Sequence, residues 1–149
     1  MAKLPDNPLV SELFKAVHGK KTVPLKVELL KQHKRDDVKA LLIWNFDKGI
    51  SSAIPEGEVP YKVNEAPANT PGHTRLLHEY RSLYNFVTGG NNKLSQMKRE
   101  TMFVQLLESL HADEAALLLL VKDKELQSKY RITRSVVEQA YPEINWRDS

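Results

Sequence analysis

No cysteine occurs among the 149 residues. Disulfide frameworks, thiolate metal sites and cysteine nucleophiles are therefore excluded, and a reducing compartment is the expectation. Long apolar runs are missing too. The longest, Ala115 to Val121, has seven residues, against the about 20 that a membrane-spanning helix needs. The opening Met-Ala-Lys-Leu-Pro-Asp lacks the apolar stretch of a secretory signal. Neither sign of charge dominates, with a net charge of +3. With 41% hydrophobic and 28% charged residues, the composition is that of one folded domain over 1–149 rather than a disordered chain.

Signatures of catalysis are also scarce. The five histidines, His18, His33, His73, His78 and His111, form no H-x-x-x-H or H-E-x-x-H ligand pair. Ser51 and Ser52 follow Gly49 but do not make the G-x-S-x-G nucleophile elbow. Gly89-Gly90 is not followed by the Gly-Lys-Ser/Thr of a phosphate loop. Glu56 and Glu58 are adjacent acids in a proline-rich loop, where carboxylates are usually solvated. The expectation is a binding protein with no catalytic residues, no metal and no cofactor.

What the sequence does contain is helical periodicity. Leu9, Val10, Leu13, Phe14 and Val17 make one apolar stripe over 9–18, with Asn7 as N-cap, Pro8 at the first helical position and Gly19 as stop. Thr22 and Pro24 open a second helix to about His33, and Asp36-Asp37 open a third to Phe46, since acids suit a helix N-terminus. A helix over 74–87 carries Leu76 or Leu77, Tyr80, Leu83, Tyr84 and Val87 on one face. Thr88-Gly-Gly-Asn-Asn92 ends it. A long helix follows over 94–110. The next begins at His111, and its run Ala115–Val121 is apolar all round and belongs at the centre. Thr133 caps a last helix, with Ile132 and Val137 as a hydrophobic staple, and Pro142 closes it. The fold class is all-α, a single compact domain of about seven helices.

Between the third and fourth helices, residues 48–73 hold Pro55, Pro60, Pro67, Pro71, Gly49, Gly57 and Gly72. Helix cannot persist through that density of breakers. Ile54, Val59, Tyr61 and Val63 point to an ordered strap crossing the core. A loop this long in a compact domain usually has a task. Val59, Tyr61 and Val63 are candidate anchors for a protein partner.

Positive charge gathers at helix junctions. Residues 1–48 hold ten Lys/Arg against six Asp/Glu, whereas residues 75–149 are nearly balanced, eleven against ten. Lys31, Lys34, Arg35 and Lys39 lie at the second junction. Lys93, Lys98 and Arg99 flank the Gly-Gly-Asn-Asn turn at a helix N-terminus, where backbone N–H groups favour an anion. Lys122, Lys124, Lys129, Arg131 and Arg134 surround the last helix-to-helix turn. Duplex-binding proteins place phosphate contacts on such loops and helix starts, although solvated basic faces are also common.

Several stretches carry a resemblance. Trp44-Asn-Phe46 with Ile54-Pro-Glu-Gly-Glu-Val-Pro-Tyr61, Asn69-Thr-Pro-Gly-His-Thr-Arg75, Lys98-Arg-Glu-Thr-Met-Phe103 with Gln105–Ser109, and Leu117–Lys124 resemble an uncharacterised family of small proteins from tailed phages of marine bacteria. That resemblance implies a phage protein in the cytoplasm of the infected host, or in the virion. More distantly, Thr88–Asn92, Leu106-Leu107, Glu114–Leu118, Val136-Val137 and Ala140-Tyr-Pro142 are similar to the layout of the helical N-terminal DNA-binding domain of ATP-dependent DNA ligases. In that family, helix-connecting turns grip the duplex across the minor groove. The similarity implies that Lys93, Lys98, Lys129, Arg131 and Arg134 lie nearest the DNA; the charge clusters at the helix junctions add Arg99, Lys34 and Arg35 as candidate contacts. The chain departs from that family by lacking the glycine of its Arg-x-Gly turn, where Lys129-Tyr-Arg131 stands, and by lacking a Lys-x-Asp-Gly motif. The function expected is that of a non-catalytic accessory protein binding duplex DNA or a DNA-associated protein. The alternative is an interaction module for a host or phage protein, a virion component or an inhibitor, acting through the 48–73 loop.

Overall fold

The computed structural model describes residues 4–67 and 70–147; Asn69, the first residue of one motif above, lies outside them. The chain is all-helical, with α1 (Val10–His18), α2 (Val23–Gln32), α3 (Asp36–Phe46), α4 (Leu76–Glu79), α5 (Gln96–Ser109), α6 (Ala112–Lys122), α7 (Leu126–Tyr130) and α8 (Arg134–Ala140). A 3-10 helix, Tyr80–Phe86, continues α4. The only β pairing among the described residues is a single bridge between Ser52 and Val87.

The apolar run does become the centre. Ala115, Leu117, Leu118 and Val121 are fully buried, and α6 packs against α1, α3, α5 and α7. Each buried Leu or Val contributes about 1.5–3 kcal/mol. The polar ends of α6 also face inward. Glu114, fully buried, accepts the N–H of Val10 at 3.3 Å and of Leu76 at 3.2 Å. One carboxylate thus receives the first N–H groups of α1 and α4, which have no partner inside their own helices. At the opposite end, buried Lys122 donates to the carbonyls of Pro55 (2.8 Å) and Gly57 (3.0 Å) and pairs with Asp123.

Local chemistry explains most boundaries. Thr22, Ser95 and Thr133 each accept an N–H two or three residues into their helices, as N-caps do. His111 caps α6 by accepting the Asp113 N–H through Nδ1 (3.0 Å). Its Nε2 therefore carries the proton and donates to the Pro67 carbonyl (3.0 Å). Ile132 and Val137, the expected staple, are both fully buried. The buried Tyr141 hydroxyl donates to the Leu30 carbonyl at 2.6 Å, locking α8 onto α2.

The helix expected over 94–110 is shorter at both ends, α6 begins one residue after its His111 cap, and three further boundaries differ from expectation. α1 starts at Val10 rather than Leu9, and Asn7 is not its cap. The Asn7 side-chain oxygen is held by Arg35 (2.9 Å), and the Leu9 N–H donates to Glu12 instead (3.0 Å). The helix expected over 74–87 is one α turn followed by a 3-10 helix. Ser82 bonds to the Glu79 carbonyl (2.8 Å) and Asn85 to the Ser82 carbonyl (2.9 Å), side chains competing for groups that a regular helix would use. The period of three puts Tyr80, Leu83 and Phe86 on one face. Tyr84, expected on the inner face, is instead 54% exposed. Finally, α7 is an additional short helix. It is bracketed by two non-glycine residues in the left-handed region, Lys124 (φ 58°) and Arg131 (φ 55°).

The strap crosses the core as expected. Ile54 is buried, Ala53 N–H donates to the Phe86 carbonyl and Thr88 N–H to the Ser51 carbonyl, both at 2.8 Å. Further on, Lys62 N–H bonds to the Glu108 carboxylate (2.8 Å) and the Asn64 amide to the Glu108 carbonyl (3.1 Å).

Two stability predictions follow from these contacts. Glu114→Ala leaves two N–H groups buried without acceptors, at about 1–3 kcal/mol each. Urea unfolding is expected to show a loss of about 2–6 kcal/mol, well above that of Glu12→Ala. A loss under about 1 kcal/mol would mean that the two helix starts do not depend on the carboxylate. Arg131→Gly relieves a left-handed conformation that costs a side-chain-bearing residue about 1–2 kcal/mol. Part of the gain is offset by glycine's freedom in the unfolded chain. The denaturation midpoint should rise, and an unchanged midpoint would show the turn to be unstrained.

Candidate nucleic-acid interface

The turn between the 3-10 helix and α5 is built around one side chain. Arg99 donates through Nε to the Asn85 carbonyl (2.8 Å) and through Nη1 to the Gln96 side chain (2.6 Å). Its Nη2 reaches the carbonyls of Asn91 (2.9 Å) and Leu94 (3.2 Å). The Asn91 amide donates to the Asn85 side chain (2.9 Å). Gly90 lies so close to the Tyr84 carbonyl that a Cβ would fall 1.9 Å from its oxygen, so only glycine fits. Gly89 takes the left-handed conformation, φ 83°. The Gln96 amide ties the start of α5 to the Ala53 carbonyl of the strap (2.8 Å).

This fixed turn carries two lysines outward. Lys93 and Lys98 are exposed, and no described residue forms a hydrogen bond or ion pair with either ammonium. Beside them the first turn of α5 offers N–H groups without intrahelical acceptors. Arg99 is not a third outward charge. Its donors are committed to carbonyls, so it positions the turn instead of meeting a partner.

The other basic residues are dispersed. Arg35 makes a bidentate pair with buried Asp37 (3.0 Å for each bond) and donates to the Pro8 carbonyl (2.8 Å). It is a structural staple at the start of α1. Lys34 and Lys39 both grip Glu143, at 2.9 and 2.6 Å. Arg134 stacks over Trp146, 4.3 Å to the ring centroid, and approaches Glu138 at 3.8 Å. Lys129 lies over the Tyr130 ring at 5.4 Å. It lines a cavity of about 290 Å³ with Glu12, Lys15 and Asp113, a setting of mixed sign. Arg131 is exposed, and its carbonyl accepts from Lys26 (2.9 Å). Of the eight basic residues expected at a DNA surface, only Lys93 and Lys98 are brought together with their charges unengaged.

The strap divides its expected anchors. Val59 and Tyr61 pack back against the core, where burial pushes the Tyr61 phenol pKa up, whereas Val63 is 53% exposed. A wider cleft of about 710 Å³ opens beside the turn, between residues 45–56 and Lys122–Lys124. Its walls carry Lys48 and Lys124 together with Glu56 and Asp123. Ser52 there is occupied, accepting from the Trp44 indole (2.9 Å) and donating to the Lys122 carbonyl. Among the described residues no group of three or more His, Asp or Glu is placed to hold a metal ion. No described helix is long and apolar enough to cross a membrane.

Comparison with known proteins matches residues 13–128 to a family of unknown function (DUF6433). The chain belongs to this family. No curated protein and no solved structure matches it. In this DUF6433 protein, two features at the turn escaped the sequence reading. The outward Tyr84 was hidden because 3.6 and 3.0 periods share Tyr80 and Leu83. The inward Arg99 was hidden because its acceptors are backbone carbonyls, which any sequence supplies.

Glu143 yields a pH test. The ammonium groups of Lys39 and Lys34 hold its carboxyl down to about 2 from 4.5. A depressed carboxyl pKa stabilises the fold above the unfolded value, and that contribution is lost as pH falls through the folded one. The stability difference between the natural protein and Glu143→Gln is expected to be constant near neutrality. It should shrink between about pH 4.5 and about pH 2. A difference independent of pH would show that the lysine clamp does not act through charge.

Proposed function

We propose that the chain is a non-catalytic DNA-binding module that holds duplex phosphates with the 88–98 turn. The observation that carries this reading is the division of labour at that turn. Arg99 fixes its backbone, and Lys93 and Lys98 are left exposed without a partner among the described residues. A preordered loop loses little conformational freedom on binding, and two lysines beside a helix start suit a phosphate backbone.

The resemblance to the ligase DNA-binding domain points the same way, since its turns are the duplex-gripping parts. It also bears on Arg131, whose left-handed backbone is the conformation that the glycine of an Arg-x-Gly turn accommodates. A phage accessory protein acting in the host cytoplasm is the setting that the first resemblance implies. An interaction through the 48–73 loop keeps Val63 as its one outward anchor, so the turn is the stronger basis.

The test is binding to a fluorescent duplex at about 50 and 200 mM salt. Each phosphate neutralised contributes about −0.9 to the slope of log affinity against log salt. Replacing Lys93 and Lys98 by Ala should weaken binding to unrelated sequences alike and flatten the slope by about 1.8. Replacing the exposed Lys20 and Lys21, remote from the turn in sequence, should matter less. Unchanged affinity and slope in the Lys93/Lys98 variant would remove the turn from the interface.

A further inference from the structure

Among the described residues Tyr84 is the one aromatic ring in the set of exposed large hydrophobics, at 54%, and Met97 is exposed at 82%. Single exposed apolar residues are ordinary. These two belong to the segment that Arg99 fastens. The Asn85 carbonyl next to Tyr84 is an Arg99 acceptor, and the Tyr84 carbonyl is pressed against Gly90. Met97 immediately precedes Lys98 on the first turn of α5. The ring is therefore carried on a backbone held from both sides. The neighbouring phenylalanine, Phe86, packs edge-on against Phe103 in the core, with centroids 5.1 Å apart. The 3-10 period that buries Leu83 and Phe86 is what turns Tyr84 outward.

An exposed aromatic on a fastened backbone, in the same segment as two exposed lysines without a partner among the described residues, offers the elements that bind single-stranded nucleic acid: cations follow the backbone and a ring stacks on a base. Bases inside a continuous duplex already stack on one another and offer no face to such a ring. From the geometry we infer that the 84–98 turn takes DNA with unpaired bases, a single-stranded tail adjoining a duplex, with Tyr84 as the stacking surface. This rests on the reading of the turn as a DNA-binding site and narrows it. Lys93 and Lys98 hold the backbone, and Tyr84 covers the first unpaired base. Stacking tolerates any base, so the preference is for DNA structure and not for sequence.

The experiment compares a blunt duplex, the same duplex with a single-stranded tail, and the tail strand alone, using the full chain. The natural protein should prefer the tailed duplex over the blunt one by about tenfold, the lower part of the range for one stacked base. Tyr84→Ala should abolish that preference and leave blunt-duplex binding unchanged, whereas Tyr84→Phe, which keeps the ring, should retain it. Circular dichroism confirms that both variants are folded. Equal binding of tailed and blunt duplexes by the natural protein, or a preference that survives in Tyr84→Ala, would overturn the inference. If Lys93/Lys98 replacement still weakens binding in that case, the DNA-binding reading stands without it. If no DNA binds, both fail together.

Discussion

A carboxylate shut away from water organises the middle of this molecule. Glu114 sits fully buried in the first turn of α6 and takes the opening N–H groups of α1 and α4. Those segments are separated by most of the first half of the chain. Burial pushes its pKa up, against the opposing pull of the two N–H groups and nearby Arg75. Burial thus opposes ionisation of the group, and what it returns to the fold is geometric. Two helix starts converge on one point, and Arg75 and Arg35 close over them by donating to the Pro8 carbonyl at 2.9 and 2.8 Å. Where α4 begins fixes where the 3-10 helix runs, and hence where the 84–98 turn is presented.

The other end of α6 works in the opposite sense. Lys122 is buried and collects the carbonyls of Pro55 and Gly57. Acid near the helix N-terminus and base at its C-terminus each agree with the helix dipole. Each also captures the complementary backbone group, donors at one end and acceptors at the other. A helix apolar around its whole circumference can sit at the centre only if its charged ends are satisfied by protein. In this fold the partners are the starts of two helices and the middle of the strap.

How far the sequence discloses this depends on whether the signal is local. The centrality of α6 is readable from Ala115–Val121 alone, and the starts of α2, α3 and α8 from Thr22, Asp36-Asp37 and Thr133. Signals that depend on distant partners are not readable. Asn7 has every attribute of an N-cap, yet Arg35 takes its side chain. Tyr84 fits an inward face at 3.6 residues per turn and an outward one at 3.0, and hydrogen bonds from Ser82 and Asn85 decide between them. Lys122 and Arg134 look like neighbours in one basic cluster. One is buried under the strap and the other stacks on Trp146.

The basic residues show why a tally of charges at helix junctions overstates a binding surface. Helix ends leave carbonyls without partners, and a guanidinium with five donors in one plane satisfies several at once. Arg75 and Arg99 each bond to several carbonyls, those of Asn7 and Pro8 and those of Asn85, Asn91 and Leu94, mostly in the loops that lead into helices, and Arg35 adds a bond to the Pro8 carbonyl. At the 88–98 turn the arginine is consumed by the fold, and the two lysines, point charges on flexible stems, remain for a partner. On the reading proposed for the turn, that difference sets the kind of recognition available. Lysine contacts to phosphate carry no sequence information, and stacking on an exposed ring carries little. A surface made this way recognises the form of a nucleic acid, its charge and its unpaired bases. Reading sequence would need planar donors directed at base edges, and at this turn the arginine that could supply them is holding the backbone in place.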